Sequence, residues 1–160
     1  MTESPHIMIV EARFYPEIAD ELARGATAAL TEAGATFRRY EVPGVFEIPA
    51  AIRMAVRSMD FSIDRRRYDG FVALGCVIRG ETSHYDIVCN ESARAIQQLV
   101  CDYTLALGFG VLTVENEKQA KARAKVDGKN KGGEAARACL AMIELKRRFS
   151  LYPREPISKA

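Results

Sequence analysis

The stretch Gly80-Glu81-Thr82-Ser83-His84 puts a glycine, a carboxylate, two hydroxyls and an imidazole side by side. Glycine lets backbone come close to a ligand, and the amide groups that follow point outward where a helix begins. With the Thr82 hydroxyl and the positive end of that helix, the segment is a candidate phosphate cradle. The GxxxxGK[ST] spacing of a nucleotide-binding loop is absent. His84 can exchange a proton at neutral pH, because an unperturbed imidazole titrates near about 6.5. A structural alternative stands beside this one: Thr82 or Ser83 as a helix cap, and His84 as a first-turn residue with no chemical duty. The other histidine, His6, leads into a strand-like run and reads as structural.

Three further stretches offer chemistry of a positioning kind. Val42-Pro43-Gly44-Val45-Phe46-Glu47-Ile48-Pro49 combines two prolines and a glycine, a stiff turn that exposes backbone donors and acceptors. Such groups suit a planar heterocycle or a polyol, and Glu47 can accept hydrogen bonds from hydroxyls. Alternatively, Glu47 simply favours a helix first turn through the dipole. Phe14 can stack on an aromatic ring or serve as core. Arg123 shares a helix face with Gln119 and can grip a phosphate in bidentate fashion, or stand solvated. Ser-His-Asp order, a metal-ligand cluster and a GxGxxG fingerprint are all missing.

Alternating strand and helix patterns would hold these residues. His6–Ala12 is a short apolar run that reads as a strand covered on both faces. Pro16 opens a helix whose Ile18, Leu22, Ala26, Ala29 and Leu30 share a face, and Gly34 ends it. Thr36–Val42 reads as a second strand, broken at Pro43-Gly44, with a helix following through Ala51, Ile52, Ala55 and Val56. Residues 57–69, with Arg65, Arg66 and Arg67, read as an exposed connection. Gly70–Ile78 is the strongest strand pattern. A helix carrying Ile87, Val88, Ala95, Ile96, Leu99 and Val100 follows. Phe109–Val114 is a fourth strand, then a charged helix at about 116–125 and a longer one at about 132–148. The longer helix has Ala136, Leu140, Ile143 and Leu145 as its apolar positions. Tyr152–Ala160 has little to bury.

Repeated strand–helix units predict an α/β protein with a mainly parallel four-stranded sheet and helices on both faces. In such sheets ligands sit beyond the C-terminal strand ends. That rule selects Phe14 and Tyr15, Gly44–Glu47, Arg79–His84 and the segment after Val114, where the unusual residues already lie.

Composition narrows the function classes. The chain has 160 residues, enough for one domain spanning 1–160, with 48% hydrophobic and 28% charged residues. A net charge of +2 does not support nucleic-acid binding. No apolar run approaches the roughly 18–20 residues of a membrane span. The N-terminal residues show no basic segment followed by an apolar stretch, so a cytoplasmic protein is expected. Cys76, Cys89, Cys101 and Cys139 form no CxxC pair, so reduced thiols are expected and a metal site is not. Between Lys118 and Lys131, six basic residues face one acid, Asp127. Such a run is a solvated helix face or an attractor for a small phosphorylated substrate.

Together these stretches resemble the lumazine synthase family, from about Ile7 to Phe149. The resemblance rests on Ala12-Arg13-Phe14, on Val42–Pro49 (VPGVFEIP) and on Leu74–His84 (LGCVIRGETSH). It continues through Phe109–Thr113 (FGVLT) with Glu115, Gln119-Ala120 and Arg123, and through Asn130-Lys131-Gly132. It implies a flavodoxin-like three-layer α/β/α sandwich forming homopentamers whose active sites are shared between neighbouring subunits. It also implies a transferase that condenses 5-amino-6-(D-ribitylamino)uracil with 3,4-dihydroxy-2-butanone 4-phosphate. Phosphate and water leave and 6,7-dimethyl-8-ribityllumazine forms, the penultimate step of riboflavin biosynthesis, with no metal and no organic cofactor. A sixty-subunit capsid and a docked riboflavin synthase partner are further assemblies the resemblance admits.

Carried over by position, Phe14 would stack on the pyrimidine, while Val45, Phe46 and Glu47 would hold the ribityl chain and ring. Val77 and Ile78 would line the ring pocket. Glu81 and Thr82 would meet the phosphate, and His84 would move protons. Phe109, Arg123 and Lys131 would arrive from the adjacent subunit, Arg123 on the phosphate. Two departures stand out. Tyr15 replaces the Asn of many members, which puts a polar substrate contact there in doubt. The loop Lys125–Asn130 differs from the glycine-rich version of capsid-forming members, which favours a plain pentamer. A competing reading keeps the fold as a flavin or lumazine binder or a scaffold without catalysis, yet His84 and Arg123 are both present. A flavodoxin-like electron carrier would need a hydroxyl-rich loop after the first strand, where this chain has Arg13-Phe14-Tyr15-Pro16.

Overall fold

A computed structural model describes residues 4–61 and 67–151. Arg65 and Arg66 of the expected connection, and the tail Tyr152–Ala160, lie outside the described residues. Four strands form one sheet: β1 (His6–Ala12), β2 (Thr36–Val42), β3 (Gly70–Ile78) and β4 (Leu107–Val114). The order is β2-β1-β3-β4 and every pairing is parallel. The central strands β1 and β3 are the ones with near-continuous apolar sequence, as strands covered on both faces require. Edge strand β2 is mostly exposed and reads TFRRYEV. β4 begins at Leu107, two residues earlier than its sequence pattern implied, because Phe71 pairs with Leu107 across the sheet.

The helices are α1 (Pro16–Glu32), α2 (Ile48–Ser58), α3 (His84–Tyr103), α4 (Glu117–Ala124) and α5 (Lys131–Arg148). Pro16 occupies the first turn of α1, where its missing N–H costs nothing. The helix ends in a Schellman motif. Gly34 adopts φ +72°, its N–H donates to the Thr31 carbonyl at 3.0 Å, and Ala35 N–H donates to Leu30 at 2.9 Å. α2 runs on to Ser58, so the connection after it is shorter than 57–69.

α1, α4 and α5 cover one face of the sheet, packed on Ile7, Ile9, Val72, Leu74, Leu112 and Val114. α2 and α3 cover the other, over Met8, Val10, Phe71, Ala73 and Val111. The result is a three-layer α/β/α sandwich of flavodoxin-like type, all parallel rather than mainly so. Among the described residues no helix is long and apolar enough to cross a membrane.

Small residues set how close α5 comes. A Cβ on Gly108 would sit 1.8 Å from the Ala135 carbonyl oxygen, and one on Gly132 would sit 2.0 Å from that of Leu22. α5 therefore buries Ala135, Ala136, Cys139 and Ile143. Leu140 is only partly buried and Leu145 is exposed, contrary to their reading as main apolar positions. Close approach selects short side chains at the contact, and the leucines fall outside it.

Candidate active site

Strand order reverses between β1 and β3: β2 lies beyond β1, β4 beyond β3. The C-terminal ends of these strands are where an open α/β sheet leaves room for a ligand. Phe14 follows β1 and is 71% exposed, with its ring edge-on to Tyr15 at 5.0 Å. Tyr15 turns the other way and packs against the core under α1, where burial raises its hydroxyl pKa. Tyr15 is thus used for packing, and Phe14 is left to face outward.

After β2, residues Val45–Glu47 form one 3₁₀ turn that leads into α2. Val45 is buried beneath the sheet end while Phe46 is exposed, so successive residues divide between anchoring and presentation. Glu47 N–H donates to the Gly44 carbonyl at 3.2 Å, and its carboxylate lies back over Gly44. Val77 and Ile78 are half-buried at the end of β3. Glu81, Thr82 and His84 are all exposed in the turn that opens α3. Ser83 occupies the N-cap position without a side-chain cap, and His84 N–H donates to Thr82 Oγ1 at 3.3 Å. Capping therefore accounts for neither Ser83 nor the His84 imidazole.

Phe109, Arg123 and Lys131 come together elsewhere. They line one cleft of about 290 Å³ along β4, with Thr113 and Glu134. None of Phe14, Glu47 or His84 lines it. α4 is short, and its start is held by a reciprocal cap. Asn116 Oδ1 accepts from Gln119 N–H at 2.9 Å, and Gln119 Oε1 accepts from Glu115 N–H at 2.9 Å. Arg123 NH1 donates to the Gln119 carbonyl at 3.2 Å and pairs with no carboxylate among the described residues. Lys131 Nζ, by contrast, meets Glu134 Oε2 at 2.8 Å. Asn130 caps α5 from a left-handed conformation (φ 46°), its Oδ1 accepting from Gly133 N–H at 3.2 Å.

The pairing of two charged groups, Glu11 and Arg79, was not read from the sequence. Glu11, 4% exposed within β1, accepts from Arg39 Nε at 2.6 Å and NH2 at 2.9 Å, and from Arg13 NH1 at 2.9 Å. Arg13 also pairs with Asp20, so the residue before Phe14 is tied to both β1 and α1. A carboxylate inside the apolar run HIMIVEA was the available signal, since a buried charge requires partners. Arg79, just past β3, donates from Nε to Glu115 Oε2 at 2.8 Å and from NH1 to Asp86 at 3.4 Å, over the Tyr85 ring at 4.2 Å. Its partners come from two segments, the first turn of α3 and the stretch after β4, a combination that no local pattern discloses. His6 is structural as expected: its ring meets Thr36 Oγ1 at 2.7 Å and stacks on Tyr68. The described residues contain no His, Cys, Asp and Glu grouping able to hold a metal ion.

Fold and site define an open, parallel α/β protein with exposed aromatic side chains, Phe14 and Phe46, just past the strand ends and a separate cationic cleft along β4. The family model of 6,7-dimethyl-8-ribityllumazine synthase matches residues 4–147, and the chain belongs to that family. It is 58% identical over 145 residues to the 6,7-dimethyl-8-ribityllumazine synthase of Agrobacterium fabrum, covering 91% of this chain and 97% of that one. To 6,7-dimethyl-8-ribityllumazine synthase 1 of Rhizobium meliloti it is 59% identical over 144 residues, 90% of this chain and 93% of the relative. The Sphingopyxis alaskensis relative, of the same name, is 51% identical over 146 residues, 91% and 98% of the two chains.

Proposed function

We propose that this protein is a lumazine synthase, condensing 5-amino-6-(D-ribitylamino)uracil with 3,4-dihydroxy-2-butanone 4-phosphate in pockets shared between subunits of a homopentamer. The enzyme is a transferase of riboflavin biosynthesis. The observation that carries the shared pocket is the division of labour described above. The sheet-end pocket has an imidazole and ring-binding surfaces, but its nearest cations in sequence, Arg13 and Arg79, are spent on carboxylates. The β4 cleft has a guanidinium without a carboxylate partner, but no proton-transfer group other than those of Lys131 and Glu134. Each half supplies what the other lacks.

In the assembled pocket Phe14 stacks on the pyrimidine, and the backbone of Val45 and Phe46, with the Glu47 carboxylate, takes the ribityl hydroxyls and ring. Val77 and Ile78 supply the apolar floor. Glu81 N–H and the Thr82 backbone and hydroxyl donate to the phosphate, which Arg123 of the neighbour grips from the other side, flanked by Phe109 and Lys131. The substrate amine is already a nucleophile, so most of the rate comes from holding two partners in reacting geometry. His84 takes the proton released as the imine forms and assists departure of phosphate. A cationic grip on the leaving group stabilises its growing charge.

Mixing the protein with both substrates and following lumazine absorbance tests the reaction. Variants test the shared pocket. His84→Ala is expected to slow turnover by roughly 10–1000-fold, and Arg123→Ala to weaken the sugar phosphate alone. Co-assembled from dissociated subunits, the two variants should regain activity at about a quarter of the sites, those pairing an intact His84 with an intact Arg123. No recovery in proven mixed oligomers would place both residues in the same subunit's pocket.

A further inference from the structure

Arg79, just past β3, joins the start of α3 to the segment after β4, and no role in the reaction proposed above uses it. It directly precedes the phosphate cradle at Gly80, and its own N–H donates to the Val114 carbonyl at 2.9 Å, extending the β3–β4 ladder by a residue. Its guanidinium then spans two directions. Toward α3 it lies 4.2 Å over the Tyr85 ring and reaches Asp86, both in the turn headed by His84. Toward α4 it bonds Glu115, whose N–H is held by Gln119, whose carbonyl in turn receives Arg123. A planar fork suits this placement, since it can stack and bond two carboxylates at once, which an ammonium cannot.

We propose that Arg79 is a positioning residue that sets both phosphate-binding elements of its subunit: the Gly80–His84 cradle of its own pocket and, through Glu115 and Gln119, the Arg123 that serves the neighbour's pocket. This rests on the shared-pocket reading above. Arg79 contacts the phosphate in neither pocket. It acts by fixing where the donors stand, and phosphate contacts respond steeply to small displacements. Because one guanidinium serves two pockets, adjacent sites around a ring are linked through the body of each subunit.

Steady-state kinetics on the assembled protein tests this. Arg79→Ala should raise the KM for 3,4-dihydroxy-2-butanone 4-phosphate by about tenfold while leaving that for the ribityl-uracil within about twofold. Arg79→Lys should recover part of the loss and Glu115→Gln should show a smaller rise in the same constant, with sedimentation unchanged in all three. Mixed oligomers separate the two arms. In Arg79→Ala/His84→Ala subunits co-assembled with Arg123→Ala subunits, the working sites feel the loss only through α4. In His84→Ala subunits co-assembled with Arg79→Ala/Arg123→Ala subunits, they feel it only through the cradle. Both mixtures should show the raised constant. An unchanged sugar-phosphate constant, equal rises for both substrates, a rise in one mixture only, or failure of all three variants to assemble would each overturn the proposal. A wild-type protein that forms no lumazine would instead overturn the reaction on which it rests.

Discussion

On one face of the sheet α1, α4 and α5 meet the strands through glycines and alanines, and among the described residues their exposed large apolar side chains are confined to α5, at Met142 (41%) and Leu145 (38%). On the other, α2 and α3 leave Met54 and Ile87 respectively 69% and 53% exposed, and Phe109 stands open on the adjoining edge strand. The contrast runs through the helices themselves. The 17-residue α1 buries eight residues, whereas the 20-residue α3 buries Val88, Ser92 and Ile96 only. An exposed apolar face of this kind is the surface on which the proposed homopentamer would place a neighbour. Nine of the twelve candidate site residues belong to the sheet end, and the other three, Phe109, Arg123 and Lys131, to the β4 edge, where the proposed neighbour would meet them.

The sharpest way to break the comparison is on the closed face. Gly108→Val should destabilise the fold by on the order of 3 kcal/mol or more, because any Cβ there meets the Ala135 backbone rather than a flexible side-chain tip. Chemical denaturation followed by circular dichroism measures it. A loss under about 1 kcal/mol would mean α5 can lift off β4 freely.

On the open face the same kind of insult should spare the fold. Ile87→Glu adds a charge to surface that already faces water, so far-ultraviolet circular dichroism should be unchanged. In the proposed homopentamer subunit association should weaken, with turnover falling alongside it because the proposed pockets are shared. Analytical ultracentrifugation reads the first and lumazine absorbance the second. An intact ring with full activity would assign the open face to something other than subunit contact.

Thiol chemistry gives the smallest effect and the same division. Burial pushes the Cys139 thiol up to about 12 and the Cys76 thiol up to about 11, both from 9.0. Cys101 is exposed. The folded state therefore holds protons that the unfolded chain releases above about pH 9, so stability is complete below that pH and falls as pH rises toward 11 and 12. Denaturation midpoints at pH 8 and pH 10 should differ in that direction, and Cys139→Ala should flatten the slope. Alkylation of the native protein at pH 8 should mark Cys101 first. Rapid loss of Cys139 would mean the closed face opens readily.

Much of this was legible in the chain. The apolar runs of β1 and β3, Pro16 and Gly34 around α1, and the turn VPGVFEIP each encode their own local structure, since periodicity and backbone restriction act over a few residues. The placement of Phe14, Glu47 and His84 beyond strand ends followed once the strands were placed. The exposed Leu145 and the early start of β4 were not legible. The first depends on how closely α5 approaches, the second on a partner strand.

Sequence alone determined which residues end each strand, and hence which side chains could reach a ligand, because a strand or helix is specified by its own neighbours in the chain. Tertiary structure decided which of those side chains remain available. Arg13 and Arg79 are consumed by carboxylates from distant segments, Tyr15 is turned into the core, and Arg123 is left in an open cleft without a carboxylate partner. Charge pairing and burial are settled by contacts between segments far apart in the chain, and only the folded packing brings those contacts about.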